Sequence, residues 1–289
     1  MTYQLLLDTS SLMYRAFFAL PPSISDQHGR PINAVHGYLD MTARLLTEYK
    51  PDELIHVYDA DWRPADRVDL YPPYKADRPA DPETLPPQFE RLREILTALG
   101  LPQAEAPQWE ADDAIGSLCA AASAADRIGI VTGDRDLLQL VQDGGADRPA
   151  IAVLFTVRGV SQLESFDEAA VAQKYSVPPQ RYVDFAILRG DPSDGLPGVK
   201  GIGEKTAAKL VATYPTLDAL LADADAQSAR LAANLKAAAE YIATMRQIVP
   251  VRPDVKVEVM RPARDDALVA KLAAAYGITG PVKRLLEAL

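Results

Sequence analysis

Cysteine and histidine are scarce in this chain, with one Cys119 and three scattered histidines, His28, His36 and His56, among 289 residues. A single thiol excludes an internal disulfide framework and a thiolate zinc site, and so few imidazoles argue against a histidine-rich metal centre. No apolar run approaches the roughly 18 residues of a membrane span, and the N-terminus shows no basic segment followed by an apolar stretch and a cleavage site. The expectation is a cytoplasmic protein without membrane contact. Excess positive charge is also lacking. The net charge is −10, with 30 Lys and Arg against 40 Asp and Glu, which at first speaks against a nucleic-acid partner. At 48% apolar and 24% charged residues, the chain can fill a full core and a second small domain.

Carboxylates are abundant, and they are clustered. Asp8 ends the run YQLLL, Asp59 follows LIHVY, and Asp134 with Asp136 follows RIGIVTG; Glu110, Asp112 and Asp113 sit in WEADDAIG, and Asp191 with Asp194 in GDPSDGLPG. Crowded carboxylates repel one another unless cations lie between them, so the pattern predicts divalent metal held by oxygen, which favours Mg²⁺ or Mn²⁺. Two or three such ions would cancel about four to six charges, which weakens the objection to nucleic acid.

The first two thirds alternate short apolar segments (4–7, 54–58, 128–131, 151–155) with longer amphipathic ones (11–20, 35–49, 86–99, 111–122). That alternation predicts an α/β fold with a mostly parallel central sheet flanked by helices, and ligands bind such sheets outside the carboxyl ends of the strands. From about Asp167 the pattern turns helical and predicts an all-α second lobe. The expected domains are 1–172 and 173–289.

Two segments break the alternation. Residues 63–87, crowded with Pro, Asp and Arg, are too long for an ordinary connection and read either as a disordered loop or as a functional arch. Within them YPPYKADR places Tyr71, Tyr74, Lys75 and Arg78 together, an aromatic and cationic mixture suited to a single strand. In GLPGVKGIGEKTAAKL the glycines precede a helix carrying Lys205 and Lys209; this fits either a device gripping a nucleic-acid backbone or a capping turn. Each acidic cluster has its own bland reading as a helix cap or turn former. Such readings do not account for acids at the same end of three strands, nor for pairs whose spacing turns them together: Glu110 and Asp113 one helical turn apart, Asp134 and Asp136 two residues apart in an extended segment.

LLLDTSSLMYRAF, VYDAD, the spaced Arg67 with YPPYKADR, WEADDAIG, VTGDRDLLQL and GDPSDGLPGVKGIGEKTA resemble, in order and to about residue 210, the motifs of the 5′-nuclease family, which includes flap endonucleases and the 5′-nuclease domain of bacterial DNA polymerase I. The resemblance implies a nuclease core related to PIN domains, an arch at about 63–87, and a helix-two-turn-helix motif at about 186–213 that holds duplex DNA, with a K⁺ ion in its turn. It implies metal ligation by Asp8, Asp59, Glu110, Asp112, Asp113, Asp134, Asp136, Asp191 and Asp194. DNA contacts are implied for Arg15, Arg67, Tyr74, Lys75 and Arg78, and in the second lobe for Lys200, Gly201, Gly203, Lys205, Thr206 and Lys209. The family often has Asn where this chain has Gly195.

The expected reaction is phosphodiester hydrolysis with two or three Mg²⁺ or Mn²⁺ ions. Asp134, Lys75 and Arg78 are its catalytic candidates, with Tyr74 stacking on a frayed terminal base. The substrate is DNA with a 5′ end, flap or nick, RNA primers remaining open, and the chain acts as a monomer, nucleoid-associated if bacterial. Alternatives are a binding scaffold with a degenerate metal site and a small-molecule phosphatase. A polymerase fragment is a further alternative, with an intact Met1 favouring a stand-alone protein.

Overall fold

The computed structural model describes residues 2–157 and 160–289; Met1, where the expected core begins, lies outside them. Seven strands form one sheet in the order β6-β5-β4-β1-β2-β3-β7: β1 Tyr3–Asp8, β2 Glu53–Tyr58, β3 Gln103–Glu105, β4 Arg127–Thr132, β5 Ala150–Thr156, β6 Leu163–Phe166 and β7 Glu258–Met260. The central run β5-β4-β1-β2-β3 is parallel, and the two edge strands are antiparallel.

The central strands are apolar runs because both faces are covered. Side chains alternate across the pleat, so Leu6, Ile55, Val57, Ile128, Ile130 and Val153 enter one core, while Leu5, Leu7, Leu54, Tyr58, Val131 and Leu154 enter the other. The second core is closed by helices α1 Thr9–Ala19, α2 Asn33–Tyr49 and α4 Pro86–Ala98, joined by α12 Asp266–Tyr276 and α13 Thr279–Ala288. The first core is closed by α5 Ala111–Ala121 and continues without a break into the helical lobe through Tyr182, Phe185, Leu188 and Leu210. That lobe comprises α6 Glu168–Tyr175, α7 Tyr182–Arg189, α8 Glu204–Thr213, α9 Leu217–Ala222, α10 Ala229–Ala237 and α11 Ala239–Ile248.

Two features go beyond what the sequence pattern foresaw. After the helical lobe the chain returns to the sheet: β7 pairs antiparallel with β3, Ala104 opposite Val259, and covers what would otherwise be an open sheet edge. Only three residues long, and flanked by Pro and charged residues, it carries too little alternation to read as a strand. The segment 63–87 also holds a short helix, α3 Ala65–Leu70, whose Arg67 is buried; a polar composition concealed it because its anchor to the core is an ion pair rather than an aliphatic stripe.

Candidate active site

Parallel pairing aligns the ends of β1, β2 and β4, with Asp8 opposite Val57 and Leu7 opposite Val131, so the residues just beyond them emerge at one edge. A cleft of about 1210 Å³ opens there, lined by Asp8, Asp59, Glu110, Asp112 and Asp134 below and by Lys75, Arg78 and residues 79–82 above. The bland role and the site role coincide at Asp8. Its Oδ1 accepts from the Ser11 N–H at 3.1 Å, capping α1, while its Oδ2 accepts from the Thr132 hydroxyl at 2.7 Å. Thr132 in turn accepts from the Asp134 N–H at 2.9 Å, so one buried hydroxyl ties the Asp8 carboxylate to the main chain of Asp134. Asp59 accepts from the Ala111 N–H at 2.8 Å, capping α5 from the neighbouring strand, and also from the Ser10 hydroxyl.

Asp136, Asp194, Asp112 and Glu110 share a second, small cavity of about 20 Å³ with Arg67, Tyr74 and the apolar Leu196, Ile248, Val249 and Val251. Asp191 and Asp194 are carried by a loop closed by two main-chain bonds between Asp191 and Leu196, both 2.8 Å. Its ends cross at Gly190 and Gly198, with φ of 79° and 67°, where a Cβ on Gly190 would lie 2.5 Å from the Gly198 nitrogen. Asp134 and Asp136 are not extended neighbours as their spacing implied. Asp136 opens a 3₁₀ turn (Asp136–Leu140) and its N–H is capped by Asp134 Oδ1 at 2.8 Å, yet both carboxylates stay in the acidic group because the turn doubles the chain back.

The electrostatics are those of negative charge only partly compensated by Lys75, Arg67 and Arg78. Burial, with Asp59 nearby, pushes the Asp8 carboxyl up to about 7. Burial does the same for Glu110, to about 7, even though Lys75 and Arg67 pull it down. Asp112 and Asp136 are raised by burial and then by Asp134, and Asp134 by burial with Asp194 and Asp191 adding to it. Asp136 Oδ1 is buried with no hydrogen-bond partner. Among the described residues no three carboxylates converge closely enough, as they stand, to enclose an ion. Cations pair with members of the group instead: Lys75 Nζ lies 2.7 Å and Arg67 Nη1 3.4 Å from Glu110 Oε2, and Arg78 Nη2 2.5 Å from Asp194 Oδ1. An all-oxygen donor set with raised carboxyls and an orphaned buried oxygen fits divalent cations.

Three expected site residues are engaged elsewhere. Asp113 is fully buried and turned from the cleft, accepting two bonds from Arg67 at 2.7 and 2.8 Å and one from the Arg252 N–H at 3.0 Å. Glu110 is the N-cap of α5 with an extended backbone, so the one-turn spacing that was to align it with Asp113 does not apply; Asp112 takes the cleft position instead. Arg67 is 5% exposed and therefore closed to DNA. Tyr74, at 4% exposure, presents no ring face for stacking; its hydroxyl donates to both Glu110 oxygens at 2.9 and 3.1 Å.

Arg15 reaches the cleft floor beside Gly133 without a carboxylate partner among the described residues. In the lobe, α7 and α8 flank the turn 190–203, and Lys200, Gly201, Gly203, Lys205 and Lys209 are exposed around it, with Thr206 partly buried. Tyr14 and Phe18 line the cleft one helical turn apart on α1, Phe18 being 71% exposed. Their only sequence signal is that i, i+4 spacing after Asp8, which equally suits a helix facing the core.

A carboxylate edge of a parallel sheet, with Lys75 and Arg78 in the same cleft, has the chemistry of a phosphodiester-cleaving nuclease. Residues 3–176 match the family model for the 5′-3′ exonuclease N-terminal resolvase-like domain, and 177–267 that for the 5′-3′ exonuclease C-terminal SAM fold. A 5′-3′ exonuclease of Streptomyces coelicolor is 44% identical over 305 residues, covering 99% of each chain. The DNA polymerase I of Mycobacterium bovis is 40% identical over 253 residues, covering 87% of this chain and 27% of that one. T5 5′-exonuclease, solved with divalent zinc ions bound, shares the fold with a TM-score of 0.69 at 17% identity over 99% of both chains. The chain belongs to the 5′-3′ exonuclease family and is a phosphodiester hydrolase of that kind. Among the described residues no helix is long and apolar enough to cross a membrane.

Proposed function

We propose that the chain is a structure-specific 5′ nuclease that hydrolyses DNA at a 5′ end, nick or flap, as a monomer in the cytoplasm. The observation that carries this reading is the single cleft in which Asp8, Asp59, Glu110, Asp112 and Asp134 face Lys75 and Arg78. Asp8, Asp59, Glu110, Asp112 and Asp134 would hold divalent ions, Mg²⁺ or Mn²⁺, in the cleft, and Asp136, Asp191 and Asp194 would complete the set. Bound there, such ions supply Lewis acidity toward the phosphate and lower the pKa of water.

The chain's own groups do the rest. Burial pulls the Lys75 ammonium down, but Glu110 and Asp194 outweigh it and hold it charged above its ordinary value. Lys75 and Arg78, which pair with Glu110 and Asp194 at the cleft, would donate to the non-bridging phosphate oxygens, where charge grows in the transition state. Arg15 supplies a further guanidinium at the cleft floor, and Lys200, Lys205 and Lys209 grip duplex phosphates without reading sequence. A potassium ion at the turn belongs to the same reading; the Lys200 carbonyl there accepts from Asn234 Nδ2 at 2.7 Å and keeps its second lone pair.

An end-labelled 5′ flap beside a nicked duplex tests the reading. Chelator-sensitive cuts releasing 5′-phosphate products support it, cuts at the junction marking flap cleavage and a mononucleotide ladder exonuclease action. Cleavage confined to small phosphoesters would establish a phosphatase instead.

A further inference from the structure

The segment that delivers Lys75 is held in an unfavourable shape. Lys75 is a non-glycine residue at φ 52°, the left-handed region that L side chains avoid, and it is buried. Something must oppose its relaxation. On one side its N–H donates to the Asp194 carbonyl at 2.9 Å, with Gly195 packed so closely that a Cβ there would lie 2.6 Å from the Pro73 carbonyl oxygen. On the other side stands Arg63. Its Nε donates to the Tyr74 carbonyl at 2.6 Å and its Nη2 to the Pro72 carbonyl at 2.7 Å, so the planar fork spans the turn that leads into Lys75. Arg63 is itself set by the bond from its N–H to Asp61 Oδ1 at 2.9 Å, and its side chain has no carboxylate partner among the described residues. A guanidinium held by main-chain carbonyls and by no carboxylate among the described residues has been placed for its geometry rather than for charge pairing.

We infer that Arg63 is a positioning residue for cleavage: by clamping the carbonyls of Pro72 and Tyr74 it keeps Lys75 in the left-handed conformation that aims its ammonium into the cleft. The inference rests on the role given to Lys75 above. Loss of the clamp lets the turn relax toward ordinary backbone and withdraws Nζ from the phosphate, while the DNA-gripping lysines of the helical lobe are untouched.

The test compares wild type, Arg63→Ala, Arg63→Lys, Lys75→Ala and the Arg63→Ala/Lys75→Ala double variant. Arg63→Ala should lower kcat about tenfold or more with KM within about twofold, as expected of a misplaced catalytic group. Arg63→Lys, which can still reach the carbonyls, should recover part of the loss. In the Lys75→Ala background the Arg63 change should cost nothing further in kcat. A raised KM at unchanged kcat, with a shallower salt dependence of binding, would instead make Arg63 a direct phosphate contact and overturn the inference; so would losses that multiply in the double variant. Amide hydrogen exchange of the Lys75 N–H, read without DNA, separates this from the nuclease reading. Arg63→Ala should speed it, and unchanged exchange overturns the clamp whether or not the protein cleaves DNA. Absence of chelator-sensitive cleavage by wild type overturns both the nuclease reading and the role inferred from it.

Discussion

Arg67 and Asp113 form a two-pronged ion pair, Nη1 to Oδ2 at 2.8 Å and Nη2 to Oδ1 at 2.7 Å, with both side chains sealed from solvent. Arg67 Nε also donates to the Ile248 carbonyl at 3.1 Å, and Asp113 accepts from the Arg252 N–H, so the pair ties α3, α5 and the end of α11 into one unit.

The first prediction concerns that pair. Arg67→Ala leaves a buried carboxylate uncompensated and should cost about 3–5 kcal/mol of stability. Arg67→Met with Asp113→Leu should recover part of it: the two apolar groups need no partner, but the Ile248 carbonyl and the Arg252 N–H lose theirs. Urea melts measure both; an Arg67→Ala protein of normal stability but weak DNA affinity would restore Arg67 to the DNA surface.

The carboxylates set a pH dependence. Asp8 and Glu110 have folded values of about 7, above their ordinary 3.8 and 4.5, so between those limits the folded state binds protons that the unfolded state has lost. Stability from these groups is therefore full below about pH 4 and declines as pH rises toward 7. Chelated protein should lose thermal stability from pH 5 to 8, and added Mg²⁺ should raise the Tm more at pH 8 than at pH 6. An equal metal-induced shift at both values would contradict the coupling.

Phe18 carries a third prediction. At 71% exposure in the cleft wall, its ring adds little to the core and offers a face to a base. Phe18→Ala should leave the melting curve nearly unchanged and weaken single-stranded or flap binding by about 1–3 kcal/mol, measured by fluorescence anisotropy. Unaltered affinity would remove Phe18 from the DNA path.

Much of this site was legible in the sequence because strand ends are marked by local chemistry. A run such as LLLD, LIHVYD or IGIVTGD states both a buried strand and the acid at its carboxyl end, and the parallel order then brings those acids together. What was not legible depended on direction. WEADDAIG places three acids within four residues, but only the fold decides that Asp112 turns to the cleft and Asp113 to Arg67. YPPYKADR announces an aromatic and cationic segment, but Tyr74 is buried because its hydroxyl satisfies Glu110, a partner 36 residues away. Strand β7 was hidden for a related reason: its stability comes from pairing with a strand about 155 residues earlier rather than from its own pattern.

The central claim is that the clustered carboxylates form one metal-dependent cutting centre, and Asp134→Asn tests it most directly. Asp134 lines the cleft and is raised by burial with Asp194 and Asp191 adding to it, while the Asp136 N–H and Lys75 pull it down; the amide removes the charge yet keeps an oxygen to accept from the Asp136 N–H, and no salt bridge is lost. Cleavage of an end-labelled 5′-flap duplex in Mg²⁺ should be abolished while affinity for the same DNA stays within about twofold. Full cleavage by the Asn variant would contradict the account.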